Sequence, residues 1–123
     1  MQNYILGRNI LMDIYERANY QCELCGSTKG LQKHHIVKRS QLGKDTPENL
    51  ILLCWDCHHS TNGIHGREGN KLDLQLKAGL EWYYRQLGVD EVRHLLGGRL
   101  YMWDTKIPEF IMKHFRRLLD ENT

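Results

Sequence analysis

The sequence predicts an α+β domain in which two short strands and one short helix are flanked by longer helices. Residues 31–37 (LQKHHIV) are predicted to form a strand, although their alternation is imperfect and β-branched residues appear only at the end. Residues 49–54 form a short apolar run that is typical of a buried strand. One Cys-x2-Cys pair precedes the first stretch, and a second pair begins at the end of the other. One or two turns of helix are expected between Cys57 and Gly63, because the glycine suits a helix end.

Longer helices are predicted on both sides of this unit. Residues 9–18 carry apolar side chains at a spacing of three and four, and Asn9 is available as their N-cap. The same spacing returns in residues 71–87 and in a last helix that begins near Pro108. A shorter helix is expected from Asp90. The helices would cover a central unit that is too small to bury enough apolar surface alone.

Length and composition favour a single domain over residues 1–123, with a core over about 20–66 and a helical extension over about 70–120. No repeat or Pro/Gly/Ser-rich linker divides the chain. The formal net charge of +2 is too small to indicate nucleic-acid binding by itself. With neither a signal peptide nor a run of about 18 apolar residues, we expect an intracellular, cytoplasmic protein with no membrane partner.

The four cysteines form two pairs, Cys22/Cys25 and Cys54/Cys57. Free thiols or disulfides are the alternative, but adjacent thiolates at this spacing in an otherwise ordinary composition favour a metal. Four thiolates complete a tetrahedral zinc site and leave no open position for catalysis. The sequence therefore predicts a structural zinc ion.

Between and beside the cysteine pairs lie side chains that can do other chemistry. These are the adjacent His34 and His35, then Asn49, then His58 directly after the last cysteine. Neighbouring residues of a strand point to opposite faces, so one of the two adjacent histidines could instead be a packed core residue. The residues alone leave both interpretations open.

This ordered set of cysteine pairs, double histidine, asparagine and histidine resembles the HNH endonuclease family, also called the ββα-metal nucleases. The resemblance covers residues 22–66, about a third of the chain. It implies a zinc-stapled ββα-metal core with DNA as the partner. It also implies a catalytic divalent ion besides the structural zinc, Mg²⁺ or Mn²⁺, with Ni²⁺ or Zn²⁺ also possible.

The resemblance assigns a role to each matching residue in a one-metal mechanism. It makes His35 the general base that takes a proton from the attacking water, with Asn49 accepting a hydrogen bond from the far ring nitrogen of His35. It makes His34 and His58 ligands of the catalytic ion. Asn62, one helical turn after His58, would be an auxiliary ligand.

The loop between the strands departs from the family pattern. Many relatives have a proline soon after the His-His-Ile run and a Gly-Gly loop before the asparagine, whereas this chain has Lys38 and Arg39 and the single Gly43. Lys38, Arg39 and Lys44 could bind the phosphate backbone of DNA, or they could simply keep the loop soluble.

Two other functions fit the same residues. A non-catalytic zinc module could bind DNA or protein through the helical extension, and a structure-selective nuclease of recombination could share the site but prefer branched DNA. The sequence does not indicate the oligomeric state, although a two-fold dimer is compatible with it.

Overall fold

The computed structural model describes residues 10–59, 63–64, 66 and 69–121. Two strands, β1 (Gln32–His35) and β2 (Leu50–Leu53), pair antiparallel. The helices are α1 (Ile10–Arg17), α2 (Trp55–His59), α3 (Gly69–Gln86), α4 (Val92–Leu95) and α5 (Glu109–Glu121). The predicted α+β fold is confirmed. No helix in the described part of the chain is long and apolar enough to span a bilayer.

The first strand is shorter than expected. It ends at His35, and although the Ile36 backbone N–H still donates to the Asn49 carbonyl at 2.8 Å, the chain then leaves the sheet for a loop. A short 3₁₀ helix, Arg39–Gln41, lies in that loop. The expected cap Asn9 lies outside the described residues.

The two faces of the sheet pack against different parts of the molecule. The register pairs His34 with Ile51 and His35 with Leu50, so adjacent histidines lie on opposite faces. Leu50 joins a small cluster with Ile14 of α1, whereas Ile51 belongs to the main core. All four residues of β2 are buried, which explains why its sequence is an unbroken apolar run.

The main core lies between the sheet and the long helices α3 and α5. The two helices approach closely at Gly79, where an added Cβ would lie 2.5 Å from the Phe115 ring. From α5, the side chains of Ile111, Phe115 and Leu118 are buried in this core. Phe110 of the same helix is about half exposed.

Candidate metal centre and active site

The four cysteines converge on one point. Their Sγ atoms all lie within 4.8 Å of one another, with Cys25 Sγ 3.6 Å from Cys54 Sγ and 3.8 Å from Cys57 Sγ. A tetrahedral zinc ion with Zn–S bonds of about 2.3 Å requires sulfur–sulfur separations of about 3.8 Å. All four cysteines are free of disulfides, so the donor set fits zinc.

Backbone geometry prepares the cysteines for a metal. The backbone N–H of Leu24 donates to Cys22 Sγ and that of Cys57 donates to Cys54 Sγ, both at 3.5 Å. The tight turn of the first pair needs Gly26, whose φ is +83°. Such amide donors stabilise thiolates, the form that binds metal.

The pKa values of the cysteines show why an ion is needed to keep four thiolates together. Burial, followed by the charge of the Cys22 thiolate, raises the pKa of the Cys57 thiol well above its ordinary value. Burial also acts to raise the pKa of the Cys54 thiol, but hydrogen bonds from the Cys57 backbone and neighbouring thiols lower it overall. Metal binding therefore releases protons, and affinity falls in acid.

His34 and His58, the two predicted ligands of the catalytic ion, lie next to each other. His34 of β1 and His58 of α2 are both buried, and their ring centroids are 5.2 Å apart in an edge-on arrangement. His58 Nδ1 lies 3.0 Å from His59 Nε2, which lies 3.1 Å from Gln32 Oε1. His59 is exposed and contacts His58.

His35 lies at the end of β1, on the opposite face of the strand from His34. Its Nε2 lies 2.6 Å from Asp45 Oδ1, and Arg39 Nη2 lies 2.6 Å from Asp45 Oδ2. The hydrogen bond with His35, aided by that with Arg39, lowers the pKa of the Asp45 carboxyl. Because the strand ends here, His34 and His35 both line one open cleft of about 350 Å³. This resolves the conflict between their opposite orientations and a shared site.

The expected hydrogen bond between His35 and Asn49 is wrong. Asn49 is buried; its Oδ1 accepts from the Val37 backbone N–H at 2.8 Å, and its Nδ2 donates to the carbonyls of Val37 at 3.1 Å and Lys44 at 2.8 Å. Through these hydrogen bonds, the side-chain amide of Asn49 holds together the two ends of the loop between the strands. Gly43 allows the closure, since a Cβ there would lie 1.7 Å from the Val37 carbonyl oxygen.

Residues 22–62 match the sequence model of the HNH endonuclease family, about a third of the chain. The chain carries an HNH domain. No curated protein and no solved structure matches the chain. Together with the cysteine cluster, the family match supports the predicted zinc-stapled ββα core, formed by β1, β2 and α2.

The three basic residues considered for DNA binding line two different recesses of the HNH domain. Lys38 and Arg39 line the cleft beside the histidines, whereas Lys44 lines a different recess on the far side of the loop. Lys33, which was not predicted as a DNA-binding residue, also lines the cleft, and its Nζ lies 5.7 Å from the ring centre of Tyr15. Its position two residues before His35 on the strand was the available signal.

Asn62, the expected auxiliary ligand, lies outside the described residues. Among those that are described, the group of three or more His, Cys, Asp or Glu able to hold an ion is the four-cysteine cluster. Among the described residues, His34 and His58 belong to no such group.

A buried carboxylate joins the HNH domain to both neighbouring helices. The Glu23 side chain, located between the first two cysteines, accepts two hydrogen bonds from Arg17 of α1 at 2.9 and 2.6 Å, and one from Arg117 of α5 at 2.7 Å. The Leu52 backbone N–H donates to it at 2.9 Å. Burial opposes its ionisation, but the hydrogen bond and charge of Arg17, together with His114 and the Leu52 backbone N–H, lower the pKa of Glu23 overall.

Proposed function

We propose that this protein is a metal-dependent HNH endonuclease that hydrolyses DNA phosphodiester bonds. The observation that carries the proposal is the grouping of His34, His35 and His58, with His34 and His35 lining one open cleft beside a closed four-cysteine site. The zinc site holds the fold and has no open position, so the histidines are the groups available for chemistry.

His34 and His58 would hold the catalytic divalent ion. Two adjacent imidazoles suit Mn²⁺, Ni²⁺ or Zn²⁺, and Mg²⁺ is accommodated when water and phosphate oxygens supply the remaining ligands. When bound, such an ion supplies stabilisation of the charge that develops on the phosphate and on the leaving 3′ oxygen.

His35 would act as the general base. Its imidazole takes a proton from water while the water oxygen forms a bond to phosphorus and the bond from phosphorus to the 3′ oxygen breaks. The leaving oxygen then takes a proton from solvent. A partly exposed imidazole at the edge of an open cleft is accessible to the attacking water, as a general base must be.

The cleft also has a charge that suits a polyanion. Lys33, Lys38 and Arg39 line it together with the histidines, and cations such as the two lysines bind phosphate oxygens without reading sequence. The free thiols of the zinc site suit a reducing compartment, so we place the protein in the cytoplasm, acting on DNA there.

The test is cleavage of supercoiled plasmid by the purified full chain with added Mg²⁺ or Mn²⁺. We expect nicking, and we expect His35→Ala to slow it about 10²- to 10⁴-fold, as loss of a general base does. Zinc content and circular dichroism should not change. His94→Ala, on the exposed surface of α4, is the matched histidine control and should retain full activity.

Other outcomes identify the alternatives. Full activity in His35→Ala would overturn the mechanism. DNA binding that survives loss of His34 and His35, with no cleavage under any metal, would indicate a non-catalytic zinc module. Faster cleavage of four-way junctions than of linear or supercoiled DNA would indicate a structure-selective nuclease.

A further inference from the structure

The loop between β1 and β2 brings a carboxylate to the proposed general base. Asp45 Oδ1 lies 2.6 Å from His35 Nε2, a length typical of a charge-assisted hydrogen bond. The other oxygen, Oδ2, accepts from Arg39 Nη2 at 2.6 Å. Both oxygens of Asp45 are therefore used, one by the base and one by a cation.

Asn49 holds the position of Asp45 from both sides. Its side-chain Nδ2 donates to the carbonyl of Lys44, the residue before Asp45, at 2.8 Å. Its backbone N–H donates to the carbonyl of Thr46, the residue after Asp45, at 3.0 Å. Asn49 is itself buried, so Asp45 is presented to His35 from a fixed point although its own side chain is half exposed.

The hydrogen bond selects one form of the imidazole. An ionised carboxylate can only accept, so His35 Nε2 must carry a proton, and in the neutral imidazole Nδ1 is then the nitrogen with a lone pair. Within the described part of the chain, Nδ1 of His35 has no hydrogen-bond partner. It is therefore available to a water molecule in the cleft.

We propose that Asp45 is a positioning residue that holds His35 as the Nε2–H tautomer, so that Nδ1 takes the proton from the attacking water. This inference rests on the proposed nuclease function. It reassigns Arg39 from a phosphate ligand to a residue that holds Asp45. It also gives Asn49 an indirect role in place of the direct contact with His35.

The sharpest test is Asp45→Asn, which keeps the shape of the side chain. Arg39 can only donate, so the amide oxygen of the variant should turn to Arg39 and its NH₂ should face His35. The NH₂ would then force the opposite tautomer, Nδ1–H. A role limited to filling space or closing the loop would leave this variant unaffected.

Two measurements on the zinc-loaded full chain decide the matter. Long-range ¹H–¹⁵N NMR reads the tautomer of His35, and nicking kinetics separate kcat from KM. We expect Nε2–H in the wild type, Nδ1–H in Asp45→Asn and a mixture in Asp45→Ala. We also expect kcat to fall about 10- to 100-fold in both variants, the usual cost of losing such a supporting contact. KM for DNA should not rise, because both variants remove the negative charge of Asp45 from a surface that is proposed to bind a polyanion.

Glu48→Gln is the matched control. It removes a carboxylate charge from the same loop, at a side chain that accepts from the Tyr84 hydroxyl at 3.1 Å rather than from His35. In this variant, the tautomer of His35 and the kcat for nicking should match those of the wild type. An unchanged tautomer and an unchanged kcat in Asp45→Asn would overturn the inference. If the wild type cleaves no DNA, the nuclease proposal fails, while the tautomer measurement still decides whether Asp45 sets the protonation of His35.

Discussion

At the scale of single residues, His114 of α5 is a buried titratable group beside the zinc site. Its side chain is fully buried, its Nδ1 lies 3.7 Å from Glu23 Oε2, and neither ring nitrogen has a hydrogen-bond partner within the described residues. Burial lowers the pKa of His114 to about 4; the Glu23 carboxylate acts against this shift, and the nearby Arg17 and Arg117 add to it. The folded state therefore keeps this imidazole neutral.

We predict that His114 makes the protein less stable in mild acid. An unfolded histidine has a pKa of about 6.5, so between that value and about 4 the unfolded state binds more protons than the folded state. Unfolding free energy should fall as pH falls, by about 2 kcal/mol between pH 7 and 5 from this group alone. Urea unfolding with zinc in excess should show a smaller pH dependence in His114→Leu. The exposed His94→Leu should retain the wild-type dependence, and equal slopes in all three proteins would contradict the prediction.

The sequence predicted the cysteine cluster, but it did not predict the contacts that the neighbouring side chains make. The cysteines could be predicted, because chelation needs only a local spacing that the chain displays directly. The contact of Asn49 could not, because a buried amide bonds to whichever backbone groups the loop brings to it, and that path depends on the close approach at Gly43. Asp45 was missed because its partner His35 is ten residues away, across a loop without regular structure.

At the scale of elements, α3 and α5 meet at a position that only glycine fits. The missing side chain of Gly79 lets the Phe115 ring and Ile111 lie against the backbone of α3. Helical spacing predicted both helices, since each has one long apolar face. The spacing could not predict the crossing point, which depends on the shapes of residues far apart in the chain.

Gly79→Ala should destabilise the protein. Alanine favours a helix by about 1 kcal/mol over glycine, but an added methyl group in contact with the Phe115 ring costs about 1–3 kcal/mol through overpacking. Thermal and urea unfolding measure the balance. In a double-mutant cycle, Phe115→Leu should relieve part of the cost, so the double variant should lose less stability than the sum of the single changes. A Gly79→Ala protein more stable than the wild type would rule out this close contact.

At the scale of the whole molecule, Glu23 connects the zinc site with α1, β2 and α5. Its carboxylate accepts from Arg17, from the Leu52 backbone and from Arg117, all within hydrogen-bonding distance. Since Glu23 lies between Cys22 and Cys25, the position of this carboxylate depends on the turn that the metal holds. Loss of the metal should therefore reach elements that contain no cysteine.

Removing zinc should unfold the HNH domain and loosen α5 in the same transition. We expect one zinc ion per chain, and we expect a chelator to lower the melting temperature and the helical circular dichroism together, because structural zinc contributes directly to folding. Added Zn²⁺ should restore both, whereas Mg²⁺ should not. A metal-free protein with the wild-type melting temperature would show that the cysteines have no structural role.

The pairing of Glu23 with Arg117 also constrains when the protein can finish folding during its synthesis. These residues are 94 positions apart, so the ribosome completes both cysteine pairs long before it adds Arg117. A nascent chain can bind its metal early, but it still lacks Arg117, one of the two arginines that pair with the Glu23 carboxylate. The order of translation thus separates metal capture from the final closure of the core.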